Sequence, residues 1–242
     1  MYPRKLDMRR SWFAVLAAIC PVGCGDVKAN VTPDAPADHA VADAANPCAP
    51  DTCLLMDDFS GPSFNVGLWG SRSGGGATIT QSGGVLTIHL PAAADAFADV
   101  YSLVGFGIGT AFEASVTVTP GQFYDHIGLG FASDRINNQC DVGETDAAMF
   151  RGQDQDGYIE TKAAGVYSCN KVSTMYPGAA SKLQIVRLAD QVAFRQNDAA
   201  LAPITTNLPA GLLPVRFSAY TFTQPPTTPI DVKIDYVFVK HN

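Results

Sequence analysis

Histidines and conserved catalytic motifs are the first places to look for chemistry in this 242-residue chain. The four histidines are His39, His89, His126 and His241, and no two of them lie at the spacing of paired metal ligands. The chain also lacks a G-x-S-x-G nucleophile motif, an H-E-x-x-H zinc motif, a P-loop and a G-x-G-x-x-G nucleotide motif opening a helix. The sequence therefore predicts neither a metal centre nor one of these catalytic sites.

A binding surface is better supported by the residue types. In FYDHIGLGFAS (123–133), alternation predicts a strand with Phe123, Ile127, Leu129 and Phe131 in the core and Tyr124, His126, Gly128 and Gly130 on the other face. A neighbouring hairpin would add Arg151, Tyr158 and Glu160. Aromatic rings flanked by polar groups suit sugars, which are apolar on one face and hydroxylated at the edge. An ordinary half-solvated sheet face without a ligand is the alternative.

The charge balance argues against nucleic acid as a partner. Only 16% of residues are charged, and the formal net charge is -7. No cluster of Lys and Arg occurs after the first ten residues, although phosphate neutralisation requires one.

The pattern from residue 54 onward is that of an all-β domain. Hairpins are predicted around Ser82-Gly83-Gly84 and at Ala189-Asp190. The stretch DVKIDYVFVK (231–240) is apolar on both faces over Tyr-Val-Phe-Val, which indicates a central strand. We find no convincing helix after the N-terminal segment, and about a dozen strands with turn signals between them predict a β-sandwich or jelly roll.

Residues 1–23 have the pattern of an export signal. Four basic residues precede an apolar run, 12–19, that is too short to span a bilayer, and translation could begin at Met1 or Met8. Val22-Gly23-Cys24 resembles the end of a bacterial lipobox, with Pro21 where Leu is usual. The resemblance implies that Cys20 leaves with the signal and that Cys24 is lipidated. The protein would then be anchored to a membrane of the bacterial cell envelope, at the outer membrane or the cell surface.

Residues 24–53 are rich in Ala, Asp and Pro and are predicted to be a disordered tether. In an oxidising compartment, we expect Cys48 and Cys53 to form a local disulfide. A second disulfide, Cys140–Cys169, is expected because a hairpin turning within 153–157 would bring these two cysteines close together on neighbouring strands.

Three stretches of the remaining domain, 54–242, carry a resemblance to a known superfamily. DDFSG followed by Trp69, then GGVLTIHL, and the closing IDYVFVK resemble the concanavalin A-like lectin/glucanase superfamily, which includes laminin-G-like modules and laminarinase-type glycosidases. The resemblance spans residues 57–240. It implies a jelly-roll sandwich of two antiparallel sheets, with ligands on the concave face or at the loop rim.

The same resemblance bears on catalysis and cofactors. Laminarinase-type enzymes carry Glu-x-Asp-x-Glu on one strand, whereas this chain has Glu144 and Asp146 followed by Ala148. A non-catalytic carbohydrate-binding domain is therefore favoured. A glycoside hydrolase or polysaccharide lyase with displaced carboxylates, or a structural or protein-adhesion module, are the alternatives. Related jelly rolls hold a structural calcium ion, for which Asp58 and Asp235 are candidate ligands; surface carboxylates that cap turns are the other interpretation.

Overall fold

The computed structural model describes residues 53–119, 125–135, 144–153, 156–172 and 178–242, all within the unit Ala45–Asn242. These residues form strands and turns and no helix, so none of them belongs to a helix that could cross a membrane. The strands are β1 Cys53–Asp57, β2 Trp69–Gly74, β3 Thr78–Ser82, β4 Val85–Leu90, β5 Phe97–Phe106, β6 Thr110–Val118, β7 Asp125–Ala132, β8 Ala147–Gln153, β9 Asp156–Ala163, β10 Val166–Val172, β11 Ser181–Arg187, β12 Val192–Gln196, β13 Ala199–Ala200, β14 Leu213–Thr221 and β15 Ile230–His241.

Two antiparallel sheets contain these strands, as the sequence predicts. The first has the order β13-β12-β11-β6-β15-β4-β3, with β1 also paired to β15, and we call it sheet A. The second has the order β10-β9-β8-β7-β14-β5-β2, and we call it sheet B. Each sheet has a core face, which packs against the other sheet, and an outer face. The predicted central position of the last strand is confirmed, because β15 is hydrogen-bonded to β6, β4 and β1.

Alternation of side chains along the strands builds the core. On β6, Phe112, Ala114, Val116 and Val118 are buried, whereas the residues between them lie on the outer face of sheet A. Trp69 packs between the rings of Phe59 and Phe217, with centroid distances of 6.2 and 6.0 Å. Its indole N–H donates to the Asp57 Oδ2 atom at 2.8 Å, so this tryptophan is a core residue rather than a sugar platform.

The predicted hairpin between β3 and β4 is confirmed. Gly83 and Gly84 connect the strands with φ values of 59° and 77°, which residues with a Cβ rarely adopt at two successive positions. The predicted turn at Ala189-Asp190 is also present, between β11 and β12.

The hairpin on which the Cys140–Cys169 prediction rests is only partly as expected. Gln153 pairs with Asp156, which is a register that the sequence analysis allows. However, the chain turns again at Ala164 and Gly165, both with positive φ, so β9 ends there and Cys169 lies on β10 opposite Glu160. Cys169 therefore does not continue the strand that pairs with β8, and the hairpin argument for its partner was wrong.

Candidate functional site

The outer face of sheet B is where the structure gathers the predicted binding residues. The strand register places Arg151 of β8 between Tyr158 of β9 and Gly128 of β7, and it places Glu160 opposite Met149. His126 of β7 lies opposite Tyr220 of β14. The four predicted residues that the structure describes, His126, Arg151, Tyr158 and Glu160, therefore share one face, while Tyr124 lies outside the described residues.

Around β7, β8 and β9 this face is mostly buried, unlike the half-solvated sheet face that is the alternative interpretation of the sequence. His126, Arg151 and Glu160 are all buried, and only Tyr158 is half-buried. The His126 ring stacks on Tyr220 at a centroid distance of 4.9 Å and meets the edge of Phe222 at 4.3 Å. His126 is thus packed among aromatic rings, and its contact with a ligand stays a prediction.

Arg151 lies between two buried carboxylates. Its guanidinium forms an ion pair with Glu144, which precedes β8, and another with Glu160 on β9. Side-chain exposure is 4% for Arg151 and 0% for both acids. A buried cation between two acids compensates charges that would otherwise be very costly to remove from water.

Burial beside Arg151 shifts the pKa values of Glu160 and His126, in each case in favour of the uncharged form. Burial raises the pKa of Glu160 to about 7; Arg151 and Lys162 oppose this shift, and Glu144 reinforces it. Burial, together with the charge of Arg151, lowers the pKa of His126 to about 3. At neutral pH the imidazole is therefore uncharged, and the Glu160 carboxyl holds its proton far more tightly than a carboxyl in water.

A second charged network occupies the other side of the same face. Asp99 of β5 is fully buried and accepts hydrogen bonds from Arg72 Nε at 2.9 Å, Arg216 Nη1 at 2.5 Å and Ser218 Oγ at 2.6 Å. Arg72 also forms an ion pair with Asp134. Burial by itself would raise the pKa of Asp134, but the Arg72 guanidinium and the Arg135 backbone N–H hold it below its usual value. These contacts join β2, β5 and β14 through one carboxylate.

Aromatic rings beside this network remain partly accessible. Phe97 and Tyr101 alternate on β5 and are half-buried. Each ring covers a glycine of the edge strand β2: a Cβ at Gly74 or at Gly70 would lie only 2.5 Å from the respective ring. The Arg135 guanidinium lies over the Phe97 ring, 4.2 Å from its centroid. The absence of a Cβ at Gly70 and Gly74 therefore leaves room for the rings of Tyr101 and Phe97 to pack over β2.

Gly130 does not form the floor for a ligand that its place in the sequence suggests. A Cβ there would lie 2.5 Å from Ile185 Cδ1 and 2.7 Å from the Ala148 carbonyl oxygen, and φ is 144°. Because Ile185 belongs to the core, this glycine is required by packing between the sheets rather than by a ligand on the outer face.

Within the described residues, the face does not present the carboxylates of a laminarinase-type glycosidase. The outward positions of β8 are Ala147, Met149 and Arg151, and no described strand carries Glu-x-Asp-x-Glu. Glu144 lies before β8 rather than within it. Among the described acids of this face, Asp99, Glu144 and Glu160 are each bound to at least one arginine, and Asp156 forms an ion pair with Lys171.

The remaining predicted site residues have other partners or lie outside the described chain. Asp58 accepts hydrogen bonds from Ser60 N and Oγ, and Asp235 Oδ2 accepts one from Ser115 Oγ at 2.8 Å. The described residues contain no group of three or more potential metal ligands, so calcium at these carboxylates stays an unsupported prediction.

The cysteines can be followed only in part. Cys53 and Cys169 are each disulfide-bonded. Their predicted partners, Cys48 and Cys140, lie outside the described residues, as does the predicted lipidation site Cys24. Both pairings and the lipid anchor therefore remain predictions.

Sequence reasoning missed the Asp99 network and a buried arginine, Arg187. Asp99 and Arg216 both interrupt apolar strands, in FADVYSL and LPVRFSAY, and each is flanked by residues that face the core. A charged residue at the outward phase of a strand was the available signal, but it does not identify the partner on another strand.

Comparisons with known proteins agree with this architecture. No family model matches the sequence, and no curated protein matches it. A β-1,3-glucanase from Mycobacterium marinum superposes with a TM-score of 0.58 at 14% identity, over 79% of this chain and 100% of that chain. An immunostimulatory antigen and pseudo β-1,3-glucanase of Mycobacterium tuberculosis gives 0.59 at 12% identity, over 79% and 99%.

A β-glucanase of Bacillus licheniformis gives a TM-score of 0.62 at 11% identity, over 78% of this chain and 98% of that chain. At such low identity these likenesses concern the fold and do not transfer an activity. The domain therefore has the concanavalin A-like, jelly-roll fold of the β-glucanases.

Proposed function

We propose that this protein is an exported, lipid-anchored module that binds a polysaccharide on the outer face of sheet B without cleaving it. The observation that carries the proposal is the contrast between acids and aromatic rings on that face. Asp99, Glu144 and Glu160 are paired with arginines and Asp156 with Lys171, whereas Phe97, Tyr101 and Tyr220 are each partly accessible.

The state of the carboxylates argues against hydrolysis. A retaining glycosidase requires two carboxyl groups about 5–5.5 Å apart that both reach the scissile bond. Here Glu144 and Glu160 are inaccessible and share the charge of Arg151. Either acid could act on a sugar only after its ion pair was broken, and breaking a buried pair is costly.

Binding is supported by the β5 side of the face. The rings of Phe97 and Tyr101 are partly accessible beside the arginines that lie over them, and Arg72, whose side chain is 44% exposed, offers donors for hydroxyl groups at the edge of a sugar. Structurally similar proteins include both a glucanase and a pseudo-glucanase, which is compatible with a fold that retains sugar binding when catalysis is lost.

A glycan array and a reducing-sugar assay on the same polysaccharides, with the full chain, test this function. We expect retention of at least one polysaccharide with no release of reducing ends. Release of reducing ends that Glu160→Gln abolishes would instead support the displaced-carboxylate hydrolase, since a pKa of about 7 suits a general acid. Silence in both assays would favour the structural or adhesion module.

A further inference from the structure

Four strongly exposed apolar side chains lie together at one end of the sandwich. Leu103 and Val104 belong to the last part of β5, Ile108 is in the turn between β5 and β6, and Leu212 directly precedes β14. Exposure ranges from 46% for Ile108 to 74% for Leu212. We call this group the apolar end.

Leu212 is held against the segment that carries the other three residues. Leu212 lies over the β5–β6 turn, so that a Cβ on Gly105 would be 3.1 Å from the Leu212 Cβ, and a Cβ on Gly107 would be 3.3 Å from its Cδ2. Leu213 pairs with Phe106 in the adjacent strand. The apolar end therefore combines two segments of chain that contact each other at Gly105 and Gly107.

A buried arginine fixes these two segments in place. Arg187 Nη1 donates to the Phe106 carbonyl oxygen at 2.6 Å, and Nη2 donates to the carbonyl oxygens of Pro209 and Gly211, both at 2.8 Å. The Gly109 N–H donates to the Arg187 carbonyl oxygen at 2.7 Å. The two segments that carry the apolar side chains are thus fixed by hydrogen bonds to Arg187.

The N-terminal tether enters the domain at this same end. Cys53, the first residue of β1, pairs with Lys240, and the next residue along β15, His241, pairs with Thr110 at the start of β6. Thr110 follows the turn that carries Ile108. In the described loops at the opposite end, 91–95 and 222–229, there is no comparably exposed large apolar side chain.

We propose that the apolar end lies against a lipid bilayer and inserts Ile108 and Leu212 at the boundary between headgroups and acyl chains. This inference rests on the lipid anchor at Cys24, which belongs to the proposed function. The sequence predicts that residues 25–52 are a flexible tether, for which the root-mean-square span would be about 26–32 Å, so the anchored domain would stay within reach of the membrane. Apolar contact then adds to the acyl chains, as stable membrane association generally requires more than one signal.

A consequence for the glycan site follows from this placement. The strands would run away from the membrane surface, with the apolar end at the bilayer and the loops 91–95 and 222–229 farthest from it. The outer face of sheet B would then be accessible from the side, and a long polysaccharide could cross it without meeting the lipid.

The test places an environment-sensitive fluorophore at either end of β14 in the full-length, processed chain. Leu212→Cys and Gln224→Cys are suitable because both residues are exposed and lie beyond opposite ends of this strand, about 27 Å apart along its length. Each variant is labelled and reconstituted in vesicles of phosphatidylethanolamine and phosphatidylglycerol. For the label at residue 212, we expect a blue shift and quenching by spin-labelled acyl chains. For the label at residue 224, we expect neither effect.

Three further outcomes are decisive. Water-like emission from both labels in anchored protein would overturn the proposal. A dimer in detergent that Leu212→Ser dissociates would assign the apolar end to a second copy and would also overturn it.

If mass spectrometry finds no acyl chain on Cys24, the anchoring part of the proposed function fails. The labelled, unacylated chain is then mixed with the same vesicles: a blue shift at residue 212 upholds the apolar end, and its absence refutes it.

Finally, the double variant Ile108→Ser with Leu212→Ser measures the strength of the contact. We expect the unacylated chain to lose about tenfold or more in vesicle binding, since each buried CH₂ contributes about 0.8 kcal/mol. Unchanged binding by the double variant would contradict the proposal.

Discussion

The outer faces of sheet A and sheet B differ in how deeply their charged side chains are buried. On the outer face of sheet A, the polar pairs are half-buried or exposed: Tyr236 OH donates to Glu113 Oε1 at 2.9 Å, and Lys182 contacts Asp198 at 2.5 Å with side-chain exposures of 32% and 67%. On sheet B, Arg151, Glu144, Glu160 and Asp99 are buried, and exposed pairs such as Lys171–Asp156 lie only beside them.

This difference indicates where a site has been built. Exposed ion pairs contribute little to stability, and a half-solvated sheet produces them without any functional requirement. Buried networks that join strands far apart in the chain, such as Asp99 with Arg216 and Ser218, are costly unless every partner is present. The outer face of sheet A is therefore an ordinary surface, whereas that of sheet B is organised.

Removal of the central cation should give the largest effect. Arg151→Met leaves Glu144 and Glu160 buried without a counter-charge, and we expect the free energy of unfolding to fall by about 3–5 kcal/mol. The matched variant on sheet A, Lys182→Met, should change it little because that pair is exposed. Urea unfolding of both variants measures the difference.

A triple variant protects this test against simple misfolding. Adding Glu144→Gln and Glu160→Gln to Arg151→Met removes the uncompensated charges and should recover part of the lost stability. Equal losses for Arg151→Met and Lys182→Met would mean that the two faces do not differ in the way described.

The pH dependence of stability should show the next largest effect. The folded pKa of Glu160, about 7, lies above its unfolded value, so its contribution is complete below the unfolded pKa and is lost as the pH rises toward 7, by about 3 kcal/mol at most. The pKa of His126 is lowered to about 3, so its contribution is lost as the pH falls below about 6.5.

Between about pH 6.5 and 4.5 these two contributions offset one another. In Glu160→Gln only the histidine remains, so its stability should fall steadily as the solution is acidified, while that of the wild type changes little in this range. Urea unfolding across about pH 4.5–7.5 compares them. Parallel curves for the two proteins would show that Glu160 does not titrate with a raised pKa.

Local patterns predicted the fold better than the site. The apolar stretch in DVKIDYVFVK and the glycine pair at Gly83-Gly84 depend on neighbours in sequence, and both predictions were confirmed. The grouping of His126, Arg151, Tyr158 and Glu160 was also accessible, because adjacent strands β7, β8 and β9 follow one another in the chain.

Burial and long-range pairing could not be read in the same way. Alternation assigns a face, but it does not reveal whether that face is covered, so the burial of His126 and Arg151 could not be predicted. Arg216 and Asp99 are 117 positions apart and meet only because β14 pairs with β5. The turn at Ala164-Gly165 was overlooked for a local reason, since positive φ at Ala164 is uncommon for alanine.

The most direct test of the central claim compares one tyrosine on each outer face. Tyr101→Leu removes a ring from sheet B but keeps an apolar side chain over Gly70, and Tyr236→Leu does the same on sheet A, where Tyr236 stacks with Phe238. For the polysaccharide that binds best, isothermal titration should show about tenfold weaker binding by Tyr101→Leu, or about 1.4 kcal/mol, and unchanged binding by Tyr236→Leu. Equal affinities for wild type and Tyr101→Leu, with weaker binding by Tyr236→Leu, would place the site on the other sheet and contradict the account.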